Sequence, residues 1–292
     1  MRKYLKDFMT EYDYPTEAVE LLLAAFDKIQ LEYGVDFDAL LELYETSKDI
    51  DYKAAIDKMK ELSEKSGVHE YVGAFVLLLC FTRRLREYYP EAKIPDSVYR
   101  NTVLDLKYKL DECKCVYGIY GTFVAIWFSG FFKLERFAFG RLQFELIPLG
   151  VDYAEDDVFL TKEQRVINVH IPRTGTRLLR ESVLESYRMA ADFWRGELDG
   201  KIAFVCSSWL LFPRHRQMLK AGANLLDFIS DYTLIASGEY NGYGEVWRLF
   251  DMNYDGFPNR LPADTSLRRA YVDFIRRGEK TGWGRGIFIY NN

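Results

Sequence analysis

The sequence predicts an α+β protein of mixed α/β type, in which an N-terminal helical bundle precedes a mixed β-sheet domain flanked by helices. Through residues 1–115, apolar side chains recur at the three- and four-residue spacing of amphipathic helices. After a short aromatic segment the apolar period becomes two, and strand and helix patterns then alternate to the end of the chain. A length of 292 residues is sufficient for two domains with cores of their own. We therefore expect a helical domain at residues 1–115 and a sheet domain at residues 116–292.

Five helices are expected in the first domain. Thr16 is a suitable N-cap for the first, and Gly34 is a suitable C-terminal stop because glycine adopts the left-handed backbone conformation easily. The helix around residues 70–89 is apolar on every side, which is typical of a central helix in a bundle. The predicted helices span residues 16–34, 36–44, 51–67, 70–89 and 95–114.

The segment Cys115–Phe132 carries no charge over 18 residues, which is the minimum length for a membrane span. Glycines and aromatic residues interrupt it, and leucine, which is abundant in membrane helices, is absent. A buried segment at the junction of the two domains is therefore expected, with a membrane anchor as the alternative.

The second domain begins with the alternating run at residues 142–147, where leucine and phenylalanine face one side and Gln143 and Glu145 face the other. A buried strand at residues 166–171 ends before Pro172, and we expect these two strands to form an antiparallel hairpin with a long connection. The remaining predictions are strands at 201–211, 231–240 and 284–290, and helices at 179–194, 217–219, 224–229 and 266–277.

The loop from Arg173 to Leu178 joins the strand at 166–171 to the helix that follows. A helix N-terminus offers backbone N–H groups without helical partners and a partial positive charge, so such a loop can hold an anion. Arg173, Arg177 and Arg180 add positive charge at the same place, although the whole chain has a net charge of −5. The alternative is an ordinary strand-to-helix connection with solvated arginines. The loop matches neither GxxxxGK[ST] nor GxGxxG, so it gives no support to nucleotide hydrolysis or dinucleotide binding.

Composition excludes several classes of function. The net charge of −5 provides no general basic field for nucleic acid. Four cysteines in a chain of this length do not form a disulfide framework, and the N-terminus has no apolar signal core, so we expect a cytoplasmic protein with reduced thiols. Three histidines give little support to a metal site, and none is expected. Asp251–Gly256 matches the start of a calcium loop, but Pro262 stands where a glutamate ligand is needed.

Four segments carry a family resemblance: Gly140–Leu146, Asn168–Trp194, Ser207–Leu211 and Leu261–Gly278. In this order the chain resembles the bacterial N-acyltransferases that combine a helical N-terminal domain with a GNAT-like C-terminal domain. The resemblance implies that the loop grips acyl-CoA as co-substrate through backbone amides. The segments that carry the resemblance cover most of residues 135–290. The loop departs from the superfamily pattern [QR]xxGx[GA] because Gly175 is its only small residue of that motif.

Acylation of an amine requires an anion cradle for the donor, a base that takes a proton from the amine, and a hydrogen-bond donor for the developing oxyanion or departing thiolate. His170 and Glu145 are the candidate bases, with a structural histidine and an ion pair of Glu145 with Arg141 or Arg165 as the alternatives. Ser207, at the end of the next strand, is the candidate hydrogen-bond donor. The candidate cradle residues are Arg173, Thr174, Gly175, Thr176, Arg177 and Leu178.

We therefore predict an acyl-CoA-dependent N-acyltransferase that modifies an amine of a small molecule or peptide, without a metal, nucleic acid or membrane partner. An acyl carrier protein is the alternative donor. The rival hypotheses are a non-catalytic binding or scaffold protein with a degenerate GNAT-like fold, and a membrane-attached enzyme anchored through Cys115–Phe132.

Overall fold

The computed structural model describes residues 1–155, 157–198 and 200–290. Its contacts separate two compact units, which meet in the sequence between Phe137 and Ala138. This division falls later than the boundary expected after residue 115, because the aromatic segment packs within the first unit. The Tyr44 hydroxyl donates to the carbonyl of Phe132 (2.9 Å), and the Thr122 amide donates to the carbonyl of Tyr71 (3.0 Å).

The first unit contains the helices α1 Arg2–Glu11, α2 Thr16–Thr46, α3 Tyr52–Lys65, α4 Glu70–Glu91 and α5 Asp96–Tyr117. Helix α1 is absent from the sequence prediction, and α2 covers two helices that were predicted separately. Gly34 does not end α2; the helix instead bends at Tyr33, whose backbone angles (φ −136°, ψ 31°) are not helical. Ile29 and Phe37 are fully buried on either side of the bend, so packing favours continuation of the helix.

Helix α4 is the centre of this unit, as its apolar sequence predicts. Phe75, Val76 and Leu77 are completely buried. A Cβ atom at Gly73 would lie 1.8 Å from Ser63 Oγ, so glycine is required for the close approach of α3 to α4. This central packing explains why the helix is apolar on all sides.

The aromatic segment after α5 forms a loop, a 3₁₀ turn at Ala125–Phe128 and the short helix α6 Ser129–Phe132. Phe128, Phe131 and Phe132 are buried, as a segment without charge requires in a folded core. None of the helices in the described part of the chain combines the length and apolar character needed to cross a bilayer.

Eight described strands follow the helical half of the chain: β1 Arg136–Phe139, β2 Leu142–Pro148, β3 Tyr153–Glu155, β4 Val158–Leu160, β5 Arg165–His170, β6 Ala203–Ser208, β7 Thr233–Glu239 and β8 Gly282–Ile289. Six of them form a mixed sheet with the strand order β1-β2-β5-β6-β8-β7, and β3 and β4 form a separate hairpin in the long connection after β2. Strand β1 and the β3–β4 hairpin are not in the sequence prediction.

Strands β2 and β5 pair antiparallel, which confirms the predicted hairpin, and Glu145 lies opposite Asn168. Strand β5 pairs with β6 in parallel at two positions, Ile167 with Phe204 and Asn168 with Val205. Beyond Asn168 and Val205 these two strands do not pair, although β5 continues to His170 and β6 to Ser208, all of which the structure describes. The sheet therefore opens between the carboxyl ends of β5 and β6.

Helix α7 Arg180–Trp194 covers one face of the sheet. Its Tyr187 is fully buried, and the Tyr187 ring centroid lies 4.8 Å from that of Phe204 and 5.3 Å from that of Phe288. The opposite face is packed against the β3–β4 hairpin through Tyr153 and Leu160. The remaining helices are α8 His215–Met218, α9 Asn224–Ser230, α10 Trp247–Phe250 and α11 Ser266–Arg276.

His215 lies fully buried between the segment after β6 and helix α11. Its Nδ1 is 2.9 Å from the carbonyl of Leu210, to which it donates, and its Nε2 accepts from the Tyr271 hydroxyl. Burial lowers the pKa of His215 below its usual value, so the folded protein favours the neutral ring. Its contribution to stability is present above the unfolded pKa of about 6.5 and is lost as the pH falls toward the folded pKa.

We expect the His215→Asn variant to be less stable than the wild type by about 2–3 kcal/mol at pH 7.5, because the Tyr271 hydroxyl loses its acceptor in the core. Between pH 6.5 and pH 5, the variant should lose less additional stability than the wild type, because it has no buried imidazole to protonate. Urea unfolding at a series of pH values measures both effects. Parallel pH profiles for the two proteins would contradict the assignment.

Candidate active site

Three polar side chains meet on one face of the sheet, at the end of β5. Glu145 Oε1 lies 2.9 Å from Asn168 Nδ2 and 2.7 Å from His170 Nε2. The amide nitrogen of Asn168 is a donor, so the carboxylate accepts from it. Asn168 Nδ2, which can only donate, also lies 3.1 Å from His170 Nε2. We assign Nε2 as an N–H donor to its nearer neighbour, the carboxylate at 2.7 Å, and in this tautomer the basic lone pair of the ring is on Nδ1.

The two side chains of this contact, His170 and Glu145, are largely but not completely buried. The side chains of His170 and Glu145 are 23% and 16% exposed, respectively. A carboxylate that accepts from one ring nitrogen orients a histidine and stabilises the imidazolium that forms when the other nitrogen takes a proton. The arrangement can therefore accept a proton at His170 Nδ1. Arg165, one of the two partners expected for Glu145, pairs with Glu197 instead (3.3 Å).

Ser207 shares this face of the sheet with Asn168 and His170. The parallel register places Val205 beside Asn168, and Ser207 is two residues further along β6, on the same side as Val205. Ser207 is exposed, as a group that meets a substrate must be. Cys206 points the other way, and burial raises the pKa of its thiol to about 12, so it is not a nucleophile near neutral pH.

The loop between His170 and α7 is open to solvent at its tip. Gly175 and Thr176 are exposed, Gly175 has a φ of +75°, and a Cβ atom added there would meet nothing within 4 Å. No side chain caps the N-terminus of α7, which begins at Arg180 with Leu179 as its N-cap. The first N–H groups of this helix thus remain available to an anion that approaches the loop.

Arg141, which lies in the turn between β1 and β2, donates two hydrogen bonds to the backbone of this segment. Its Nη1 donates to the carbonyl of Pro172 (2.9 Å) and its Nη2 to the carbonyl of Thr176 (3.3 Å). Within the loop, the hydroxyls of Thr174 and Thr176 lie 2.7 Å apart and share a hydrogen bond. These contacts hold the loop backbone in place.

The arginines of the loop differ in their partners. Arg173 pairs with Asp251 (2.7 Å), which also binds Arg268 (2.6 Å), so one carboxylate is shared by two guanidinium groups. Arg177 is exposed and makes no ion pair with any described residue. Arg180 is committed to Asp231, whose side chain is only 6% exposed. Arg173 and Arg177 therefore provide the positive charge of the loop, and Arg180 has a structural contact.

Three residues of this region are not among the site residues that the sequence predicts: Arg141, Asn168 and Asp251. Asn168 could have been found, because it stands two residues before His170 and so shares the polar face of its strand. Arg141 and Asp251 reach the loop through contacts distant in sequence, which no local pattern reveals. Within residues 1–155, 157–198 and 200–290, no group of three or more histidine, cysteine, aspartate or glutamate side chains is placed to hold a metal.

Two family models match the chain. Residues 3–134 match the N-acyltransferase N-terminal domain, and residues 137–288 match the GNAT-like C-terminal domain. No curated protein matches the sequence significantly.

Several solved structures share the fold. One is an acyltransferase in complex with decanoyl-CoA, which has 21% identity and a TM-score of 0.79 over 98% of this chain and 87% of that one. Another is an acyltransferase mutant in complex with octanoyl-CoA, which has 19% identity and a TM-score of 0.78 over 99% of this chain and 88% of that one. A third, in complex with decanoyl-CoA and teicoplanin, has 21% identity and a TM-score of 0.75 over 98% of this chain and 87% of that one. With two family models that together span the helical and the sheet halves, the chain belongs to the N-acyltransferase family, with a helical N-terminal domain and a GNAT-like C-terminal domain.

Proposed function

We propose that this protein transfers an acyl group from acyl-CoA to an amine, and that the loop Arg173–Leu178 holds the phosphates of the donor. The observation that carries the proposal is the position of this open loop. It follows β5 directly, beside the opening between β5 and β6 and next to the contact of His170 with Glu145. The proposed phosphate cradle therefore begins three residues after the proposed proton acceptor, in one chain segment.

The donor is proposed from the chemistry of the loop and from the structural neighbours. Exposed backbone around Gly175, the uncapped start of α7 and the unpaired guanidinium of Arg177 suit a pyrophosphate. The neighbouring acyltransferases were solved with decanoyl-CoA and octanoyl-CoA, which supports an aliphatic acyl-CoA here. The side chains of Thr174, Thr176 and Leu178 complete the loop.

In the proposed reaction, His170 Nδ1 takes a proton from the acceptor ammonium group, and Glu145 stabilises the imidazolium that results. The neutral amine attacks the thioester carbon and forms a carbon–nitrogen bond and a tetrahedral oxyanion. Collapse of this intermediate breaks the carbon–sulfur bond, which gives the amide and the CoA thiolate. The nitrogen of the intermediate carries one proton more than the amide keeps, and that proton passes to the thiolate, so that the products are an amide and free CoA. His170 then releases its own proton to solvent and returns to the neutral form.

Ser207 is the proposed hydrogen-bond donor to the oxyanion or to the departing thiolate. Its exposure and its place on the face that carries His170 support this role. Cys206 does not take part, because it is buried. The proposed reaction is therefore a direct transfer without a covalent acyl-enzyme.

The acceptor is proposed to be an amine of a small molecule or peptide. Two of the neighbouring structures contain teicoplanin or its 10C form, which makes a large amine-bearing molecule one candidate class for this chain. An acyl carrier protein remains the alternative donor, because a thioester on a carrier would present the same reacting carbon.

The test is release of free thiol from decanoyl-CoA, followed with a thiol reagent, during incubation with a panel of primary amines. We expect release that depends on both an amine and the protein, together with formation of the N-decanoyl amide by mass spectrometry. If decanoyl-CoA binds but no amine is acylated, the result would contradict acyl transfer and favour a non-catalytic binding protein. If the amine is acylated from a decanoyl acyl carrier protein but not from decanoyl-CoA, the carrier protein and not CoA is the donor.

A further inference from the structure

The helical unit contains a groove whose lining residues all precede Phe137. It has a volume of 440 Å³ and lies between α2, the beginning of α4 and the end of α5. This volume is in the range of about 300–1,000 Å³ that small-molecule sites occupy. All of its lining residues belong to the helical unit, so it is a site distinct from the one around His170.

The walls of the groove are apolar. Leu21 and Ala24 line it from α2, Val72 from α4, and Ile119 from the residues after α5. Leu21 is 40% exposed and Ala24 is also exposed, so the α2 wall presents apolar surface to solvent. An aliphatic ligand would remove this apolar surface from water, and such burial is favourable.

The charged side chains that line the groove are both basic. Lys28 and Lys114 line it, and no aspartate or glutamate is among its described lining residues, although acids outnumber bases in the chain by 44 to 39. The Lys114 ammonium is fixed at the rim, because it donates to the carbonyl of Gly118 (3.2 Å) and stands 4.3 Å from the centre of the Tyr120 ring. Two ammonium groups beside apolar walls complement an anion on an aliphatic body.

His69 adds a neutral donor to the same lining. Its Nδ1 accepts the backbone N–H of Tyr71 at 3.1 Å, so the ring proton is on Nε2. Together with the two lysines, this gives the groove three side-chain N–H donors. Among the described lining residues, only Tyr120 has a side-chain oxygen, and that hydroxyl donates to the Glu17 carboxylate at 3.4 Å.

We propose that this groove binds the anion of a medium-chain carboxylic acid, with the alkyl chain against Leu21, Ala24 and Val72 and the carboxylate beside Lys28 and Lys114. A small polar anion would leave the apolar walls in water. A cationic amphiphile would meet two ammonium groups. The free carboxylate is therefore the ligand class that satisfies both the walls and the charge.

The experiment is isothermal titration of the full-length protein with sodium decanoate, well below its micellar concentration and with saturating CoA present. Decanol and decyltrimethylammonium serve as probes of the same chain length with no charge and with the opposite charge. We expect saturable decanoate binding, at least tenfold weaker binding of decanol, and no binding of the ammonium compound.

Variants of the groove residues test whether decanoate binds at this place. Ala24→Trp fills the groove from an exposed position of α2 and should abolish decanoate binding, whereas Leu31→Trp, at an 86% exposed position of the same helix, should leave it unchanged. The Lys28→Ala/Lys114→Ala double variant should weaken decanoate at least tenfold but leave decanol as it is, and Lys6→Ala on α1 is its control. Circular dichroism verifies that each variant is folded.

The proposal is overturned if decanoate gives no saturable heat, if Ala24→Trp binds it as the wild type does, or if decyltrimethylammonium binds equally well. It does not rest on the acyl-transfer proposal, because none of these titrations requires a donor or an acceptor to react.

Discussion

The His170→Asn variant is expected to lower kcat by about 100- to 1,000-fold and to leave the affinity for decanoyl-CoA unchanged, because general-base catalysis contributes on that scale. Asparagine preserves a polar side chain next to Glu145 but offers no basic nitrogen. Steady-state assays of thiol release give kcat, and calorimetry gives the donor affinity. Turnover at the wild-type rate would exclude His170 as the base.

Glu145 is a positioning residue in this account, since it acts through His170 Nε2 at 2.7 Å. The isosteric Glu145→Gln variant should lower kcat by about 10- to 100-fold with little change in the KM for the donor. If the two residues act as a unit, the Glu145→Gln/His170→Asn double variant should be no slower than His170→Asn alone. If the kcat losses of the two single variants multiply in the double variant, Glu145 has a role separate from that of His170. Thr10→Ala, which removes an exposed hydroxyl of α1, is a control in the helical unit.

The Gly175→Val variant is expected to lose at least about 30-fold in affinity for decanoyl-CoA. The space where a Cβ atom would stand is empty, and in the proposed complex it receives the phosphates. Valine at a φ of +75° also costs about 1–2 kcal/mol of stability, so loss of binding has to be separated from loss of fold.

Gly200 provides the matched control for Gly175. It has nearly the same backbone angle, with a φ of +73°, its Cβ position is equally open, and it precedes β6 at the opposite end of the sheet. Gly200→Val should lose similar stability in urea unfolding and bind decanoyl-CoA as the wild type does. Equal losses of donor affinity in the two variants would show that backbone strain, and not the loop, governs binding.

Local patterns were sufficient to predict most of the elements. The change of apolar period from three or four to two separated the helical half from the sheet half, and the β-branched run before Pro172 predicted β5 and the loop after it. The errors have physical causes. Gly34 does not end α2 because Ile29 and Phe37 are buried on both sides of the bend, and this packing outweighs the preference of glycine for helix ends.

The site was predictable only in part, because its residues come together through pairing and long-range contacts. The alternation along β2 predicts a polar face for Glu145, and the sequence predicts His170 at the end of β5, but their contact depends on the register of a hairpin with a long connection. Asp251 was judged as part of a calcium-like motif, whereas its carboxylate binds Arg173 and Arg268. Such a contact joins distant parts of the sequence, so only the folded structure reveals it.

The central claim is that the loop from Arg173 to Leu178 binds the phosphates of a CoA donor. The most direct measurement is calorimetric titration of the wild-type protein with decanoyl-CoA and with decanoyl-pantetheine, which has the same thioester and acyl chain but no phosphate. We expect decanoyl-CoA to bind at least about 100-fold more tightly, and that advantage should largely disappear in the Arg173→Ala/Arg177→Ala variant. Equal affinity of the wild type for the two thioesters would contradict the claim.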